Sequence, residues 1–193
     1  MVVAYPTPSR ISIEKTLHLI EKFMAERSGG DRLEAVATSL LRTISDRFNL
    51  FDKIKREKVN APDVTTGMAA DIECWLKNEI VLLVEVKDRN LNLIQLDSKV
   101  DVARANRIKE ILFIAQQGIE PKNYDAINKK VTQEFASGQN IYISNLVEFA
   151  KGILILLGEQ GRVDFISRIG PELDASKSSI KNRKGWATLL KEI

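Results

Sequence analysis

The sequence predicts an α/β fold, a mixed central sheet flanked by helices on both faces and followed by a helical C-terminal segment. Three observations predict it. Apolar residues recur at helical spacing in two segments before residue 50, alternating strand-like runs follow at 70–89, and helix-like and strand-like runs then alternate. With 193 residues, 44% of them hydrophobic, the chain has material for one domain with a full core.

In "SIEKTLHLIEKFMAER", Ile13, Leu17, Ile20 and Met24 fall on one face, giving an N-terminal helix over about 11–27. "SGG" ends it. A second helix runs from about Asp31 to Phe48, with Leu33, Val36, Leu40, Ile44 and Phe48 as its stripe. A short strand precedes a loop marked by Pro62 and Gly67, and "ADIECWLKNEIVLLVEVKDR" then reads as a hairpin. Leu93, Leu96, Val100 and Ala103 make a helix of about 91–107. "EILFIAQ" is a buried strand, "NYDAINKKVTQEFASG" a helix, "NIYIS" a second buried strand and "NLVEFAKGILILLG" another helix. The expected organisation is a single domain over 1–193, with a core at about 31–145 and a helical segment from about 146.

Composition narrows the chemistry. One cysteine, Cys74, excludes an intramolecular disulfide, and with one histidine, His18, a Cys/His zinc site or a Ser-His relay lacks members. Carboxylates, lysines and hydroxyls remain as the catalytic inventory. Lysine plus arginine exceed the acids by 29 to 26, so a polyanion-binding surface requires local clustering. "FAKGILILLG" falls well short of the roughly 20 residues of a membrane span. The expectation is no membrane partner and a cytoplasmic location.

The hairpin repays a closer reading. Side chains alternate along a strand, so Ile72, Cys74 and Leu76 share one face and Ile80, Leu82, Val84 and Val86 share theirs. Burying both rows together requires even residues to pair with even ones. A two-residue turn at Lys77-Asn78 fails that test, whereas a three-residue turn over Lys77-Asn78-Glu79 pairs Leu76 with Ile80 and Asp71 with Glu85. Lys87 follows on the same face. Carboxylates about 4.5–5.5 Å apart at Cβ repel unless a cation lies between them. A hard divalent ion such as Mg²⁺ meets that need, with one or two carboxylates, waters and phosphate oxygens as ligands. The Lys87 ammonium then serves an attacking water or the developing charge.

Asp71 followed by Glu85-Val-Lys87 on the next strand, behind a helix with an acidic residue near its start, resembles the PD-(D/E)XK nuclease superfamily. "VEVKDR", a helix with a glutamine and then "EILFIA" resemble its type II restriction endonuclease branch. Ala70 stands where the motif has proline, which is no ligand. The resemblance covers a restriction endonuclease-like αβββαβ core. It implies Mg²⁺-dependent hydrolysis of DNA phosphodiester bonds to 5′-phosphate and 3′-hydroxyl ends, with Mn²⁺ able to substitute. Its alternatives are a structure-selective repair or junction nuclease and an inactive DNA-binding or interaction module of the same fold. Double-stranded DNA is the implied partner, and one site per chain against two strands points to a homodimer.

The resemblance makes Glu34 a further catalytic residue, while the Asp31-x-x-Glu34 spacing equally suits a helix-capping box. Gln95, one turn into the following helix, is a candidate to support the site from behind. The literal Pro62-Asp63 competes with Asp71, without a strand register to place it. Lys177, Lys181 and Lys184 fall at i, i+4 and i+7 and make a basic stripe, either a solvated face or a phosphate contact.

Overall fold

The computed structural model of the chain describes residues 2–57 and 67–193. Pro62 and Asp63 lie outside them. In chain order the elements are α1 (Ile13–Met24), α2 (Asp31–Phe48), β1 (Lys53–Arg56), β2 (Ile72–Leu76), β3 (Glu79–Lys87), α3 (Leu93–Ala105), β4 (Glu110–Ala115), a 3₁₀ turn (Pro121–Asn123), α4 (Tyr124–Ala136), β5 (Asn140–Ser144), α5 (Leu146–Ala175) and α6 (Ile180–Leu190). The class is mixed α/β. Among the described residues the chain divides into two compact units, one of residues 2–50 and 147–193 and one of 51–57 and 67–146. No helix among them is long and apolar enough to cross a membrane.

The second unit holds a five-stranded sheet in the order β1-β2-β3-β4-β5. β1 to β3 form an antiparallel meander, and β3, β4 and β5 run parallel. Parallel neighbours need crossovers, which α3 and α4 supply. Leu83, Ile111, Phe113, Ala115 and Ile141 pack with Leu96, Val100 and Ala103 of α3 and Ile127 of α4 on one face of the sheet. This is the face on which Leu83, Glu85 and Lys87 of β3 project. The opposite row, Ile72, Cys74, Val84 and Ile114, is likewise buried.

The hairpin turns differently from the three-residue expectation. Leu76 pairs with Glu79, leaving Lys77 and Asn78 as a two-residue turn with φ of 50° and 65°. Two positive φ values match the right-handed twist of the flanking strands, which a hairpin connection favours. Parity is restored further down, where a β-bulge slips the register between Cys74 and Trp75, so Trp75 faces Ile80 and Cys74 faces Leu82. Val81 is the inserted residue. Ile80 thereby leaves the row of Leu82 and Val84 and packs with the Leu83 cluster.

The helical unit shows four further features. α1 buries Thr16, Leu19, Ile20 and Phe23, a stripe rotated from the expected one. Phe23 packs against the buried Trp186 of α6 with ring centroids 5.1 Å apart. At the start of α2, Asp31 is not the N-cap. Its carboxylate accepts from Asn182 Nδ2 at 2.7 Å and from Ser178, so Gly30, at φ 94°, takes the cap position. The Asp31–Glu34 capping box does not form. α5 is interrupted at Gly158, whose φ of 68° lies outside the helical region. Lys177 sits in the turn after α5 at φ 58°, so Lys181 and Lys184 share α6 without it.

The turn yields the first prediction. Asn tolerates the left-handed conformation that a β-branched residue resists, and glycine adopts it freely. Asn78→Gly is expected to raise unfolding stability by about 0.5–1 kcal/mol and Asn78→Val to lower it by about 1–2 kcal/mol, read by urea denaturation.

Candidate active site

The site is assembled by local choices in the second unit. Ile72 opposite Val84 sets a register that continues to Asp71 beside Glu85. The Asp71 carbonyl accepts the Glu57 N–H at 2.9 Å, which ties it to the end of β1. Its Oδ2 accepts the Val86 N–H at 2.8 Å, a donor lying beyond the last paired residue of β2. Backbone and side chain are both held.

Glu73 supports the same segment from behind. Only 3% exposed, it accepts the Ala69 N–H at 2.7 Å and the Trp75 indole N–H at 3.1 Å. Lys55 Nζ stands 4.1 Å from the centroid of the Trp75 ring. The approach to Asp71 is therefore anchored before the strand begins.

Glu85 is 8% exposed, and a carboxylate buried that far requires compensation. Its Oε1 accepts from Lys87 Nζ at 2.7 Å. Its Oε2 lies 2.8 Å from Lys99 Nζ on α3, yet no aligned hydrogen bond reaches that buried oxygen. Lys99 directs a hydrogen bond of 2.7 Å to the Ala69 carbonyl instead. Asp71, Glu85, Lys87, Lys99, Gln95 and Glu57 line one pocket of about 460 Å³.

Gln95 stands in the pocket wall, where its side chain completes a capping box. Asn92 N–H donates to Gln95 Oε1 at 3.2 Å and Gln95 N–H to Asn92 Oδ1 at 2.9 Å. Helix initiation employs the amide oxygen of Gln95 and holds its side chain against Asn92. Glu34 belongs to the helical unit, half-buried, with its Oε1 3.5 Å from where a Cβ on Gly30 would stand. Lys177, Lys181 and Lys184 belong to that unit too, and Lys181 lies 3.2 Å from Glu26. The structure thus brings together Asp71, Glu85, Lys87 and Gln95.

Lys99 was not foreseen. Its signal is its place one turn beyond Gln95, since Leu96, Val100 and Ala103 face the sheet and leave 95 and 99 on an adjacent stripe. Cys74 offers no competing chemistry, because burial pushes its thiol up to about 12. His18 is exposed on α1.

The donor set suits a hard divalent ion. Two carboxylates line one pocket, and the buried one, Glu85, is compensated by cations on both of its oxygens. Among the described residues no group of three or more His, Cys, Asp or Glu gathers to hold a metal. Mg²⁺ does not need one, because one or two carboxylates suffice when waters and phosphate oxygens complete its shell.

The family described as the SacI restriction endonuclease C-terminal domain matches residues 9–118, more than half of the chain. Among curated proteins none matches. The matched segment contains all the residues that line the pocket and ends before α6.

Removing the support behind Asp71 tests this construction. Glu73→Ala leaves the Ala69 and Trp75 donors without their acceptor and is expected to cost about 2–3 kcal/mol in urea unfolding. Glu73→Gln, which keeps one acceptor oxygen, is expected to lose less.

Proposed function

The chain belongs to the SacI restriction endonuclease C-terminal domain family, and on that premise we propose that it is a Mg²⁺-dependent endodeoxyribonuclease of the restriction type. The observation that carries this reading is the convergence of Asp71, Glu85 and Lys87 in one pocket, where both oxygens of the buried Glu85 carboxylate are met by ammonium groups. The order α2-β1-β2-β3-α3-β4 is compatible with a PD-(D/E)XK core. Double-stranded DNA is the substrate of this reading, a homodimer the simplest means of cutting both strands and the cytoplasm its compartment.

Asp71 and Glu85 would hold the ion, with Mn²⁺ able to replace Mg²⁺. When bound, it would supply positive charge to the phosphate and lower the pKa of a coordinated water. The chain's own residues do the positioning. Val86 N–H fixes the Asp71 carboxylate, and Lys87 holds Glu85 Oε1 while keeping an ammonium at the pocket wall. In that place Lys87 Nζ donates to the attacking water or to a non-bridging oxygen as charge develops. Water oxygen bonds to phosphorus and the P–O3′ bond breaks; the water gives up one proton to solvent and the leaving O3′ takes one from solvent, leaving a 5′-phosphate and a 3′-hydroxyl. Lys181 and Lys184, exposed on α6, are candidates for phosphate contact, as is Lys177 in the preceding turn.

Plasmid DNA with Mg²⁺ tests the reading. Discrete fragments are expected. Cutting confined to branched or nicked substrates would move the chain to repair chemistry, and duplex binding without cutting in Mg²⁺ or Mn²⁺ would overturn catalysis. Lys87→Ala is expected to lower cleavage by on the order of 10²-fold or more while the protein stays folded. Lys99 continues to compensate Glu85 in that variant, so the stability cost is expected to stay within about 1 kcal/mol. Circular dichroism and a cleavage time course separate the two effects.

A further inference from the structure

The Glu85 carboxylate meets two ammonium groups where the proposed chemistry uses one. Lys87 makes a hydrogen bond of 2.7 Å to Oε1, whereas Lys99 stands 2.8 Å from Oε2 without one and directs its bond to the Ala69 carbonyl, also at 2.7 Å. The two lysines are not equivalent. Oε1 is met by an aligned bond, and Oε2 by an ion pair of poorer alignment. Lys99 also has an acceptor of its own besides Glu85, so its ammonium can leave the carboxylate without losing every partner.

Resting on the metallonuclease reading, we infer that Lys99 is the resident cation of the site: its ammonium neutralises Glu85 Oε2 until a divalent ion takes that oxygen, and it then turns to a DNA phosphate. The carboxylate explains why a cation must be there at all. A buried, unpaired Glu85 would be costly, so a site that exchanges its metal needs an internal positive charge. Position explains why the charge can move. Lys99 projects from α3 into the pocket on a flexible four-carbon stem, beside Gln95 and within reach of Ala69. Its departure from Oε2 exchanges one positive charge for another at the oxygen, and an ammonium released in a phosphate-binding pocket finds an anionic partner. Lys99 is therefore a positioning residue for the metal and a phosphate ligand in the loaded state. The inference also predicts opposite effects of one substitution. Loss of Lys99 favours metal binding in the free protein and weakens DNA binding in the metal-loaded one.

The test measures binding of Ca²⁺ alone by isothermal titration calorimetry in wild type, Lys99→Met and Lys99→Gln. Both variants are expected to bind Ca²⁺ more tightly than wild type, by on the order of ten-fold. Glutamine keeps a donor for the Ala69 carbonyl, so a change in fold stability caused by losing that bond does not decide the result. With Ca²⁺ saturating, both variants are expected to bind a duplex oligonucleotide more weakly, with a salt dependence shallower by about one phosphate contact. Folded variants that bind Ca²⁺ no more tightly than a wild type that does bind it overturn the inference and leave the nuclease reading standing. So does tighter Ca²⁺ binding with an unchanged duplex salt slope, for the phosphate half of the statement. A wild-type protein that binds neither Ca²⁺ nor Mg²⁺ overturns the nuclease reading and this inference with it.

Discussion

The buried carboxylate of Glu85 organises the candidate site of the sheet-bearing unit. Glu85 projects from the middle of the sheet onto the face that α3 and α4 cover, and there it is nearly cut off from water. Moving an unpaired carboxylate into such a place costs several kcal/mol even after relaxation, which is comparable with the whole stability of a small domain. The site therefore depends on cations arriving from two directions. Lys87 reaches Glu85 along its own strand and Lys99 reaches it from the helix. Through Lys99 and the Ala69 carbonyl, the same compensation fastens α3 to the segment that delivers Asp71.

The hairpin shows how local geometry protects this arrangement. Strand twist favours a two-residue turn with two positive φ values, and the apolar pattern demands a pairing that such a turn cannot give. The bulge at Val81 reconciles them. Above it the turn has its preferred geometry, and below it Cys74 and Leu82 resume the pairing that buries the apolar row and sets Asp71 beside Glu85. Bulges recur beside functional sites because they re-aim side chains, and here one preserves the aim of the acids. Without it, a slip of one residue would send Asp71 and Glu85 to opposite faces.

Several polar residues near the site have structural duties that a motif does not reveal. Gln95 initiates α3, and Glu73 binds the donors of Ala69 and Trp75. Asp31 accepts from Ser178 and Asn182, far along the chain. Each is a buried or half-buried polar group whose partners are settled by packing. Their chemistry as side chains says less about function than the company they keep.

What the sequence by itself determined is whatever follows from period and local sterics. Alternation with period two was enough to put Asp71, Glu85 and Lys87 within one register and to mark Val84 and Val86 as interior, because the pleat leaves a strand side chain only two directions. Segment lengths and breakers were enough for the alternation of helices and strands that makes the mixed sheet. Tertiary structure decided the rest. The two-residue turn and its bulge balance twist against burial over the whole hairpin, and the capping of α2 by Gly30 follows from the pull of Asn182, 151 residues away, on Asp31. Lys99 was beyond reach for the same reason. A helix carries its residues around the full circle, and which stripe looks into a pocket is set by how the helix rotates to bury Leu96, Val100 and Ala103 against distant strands.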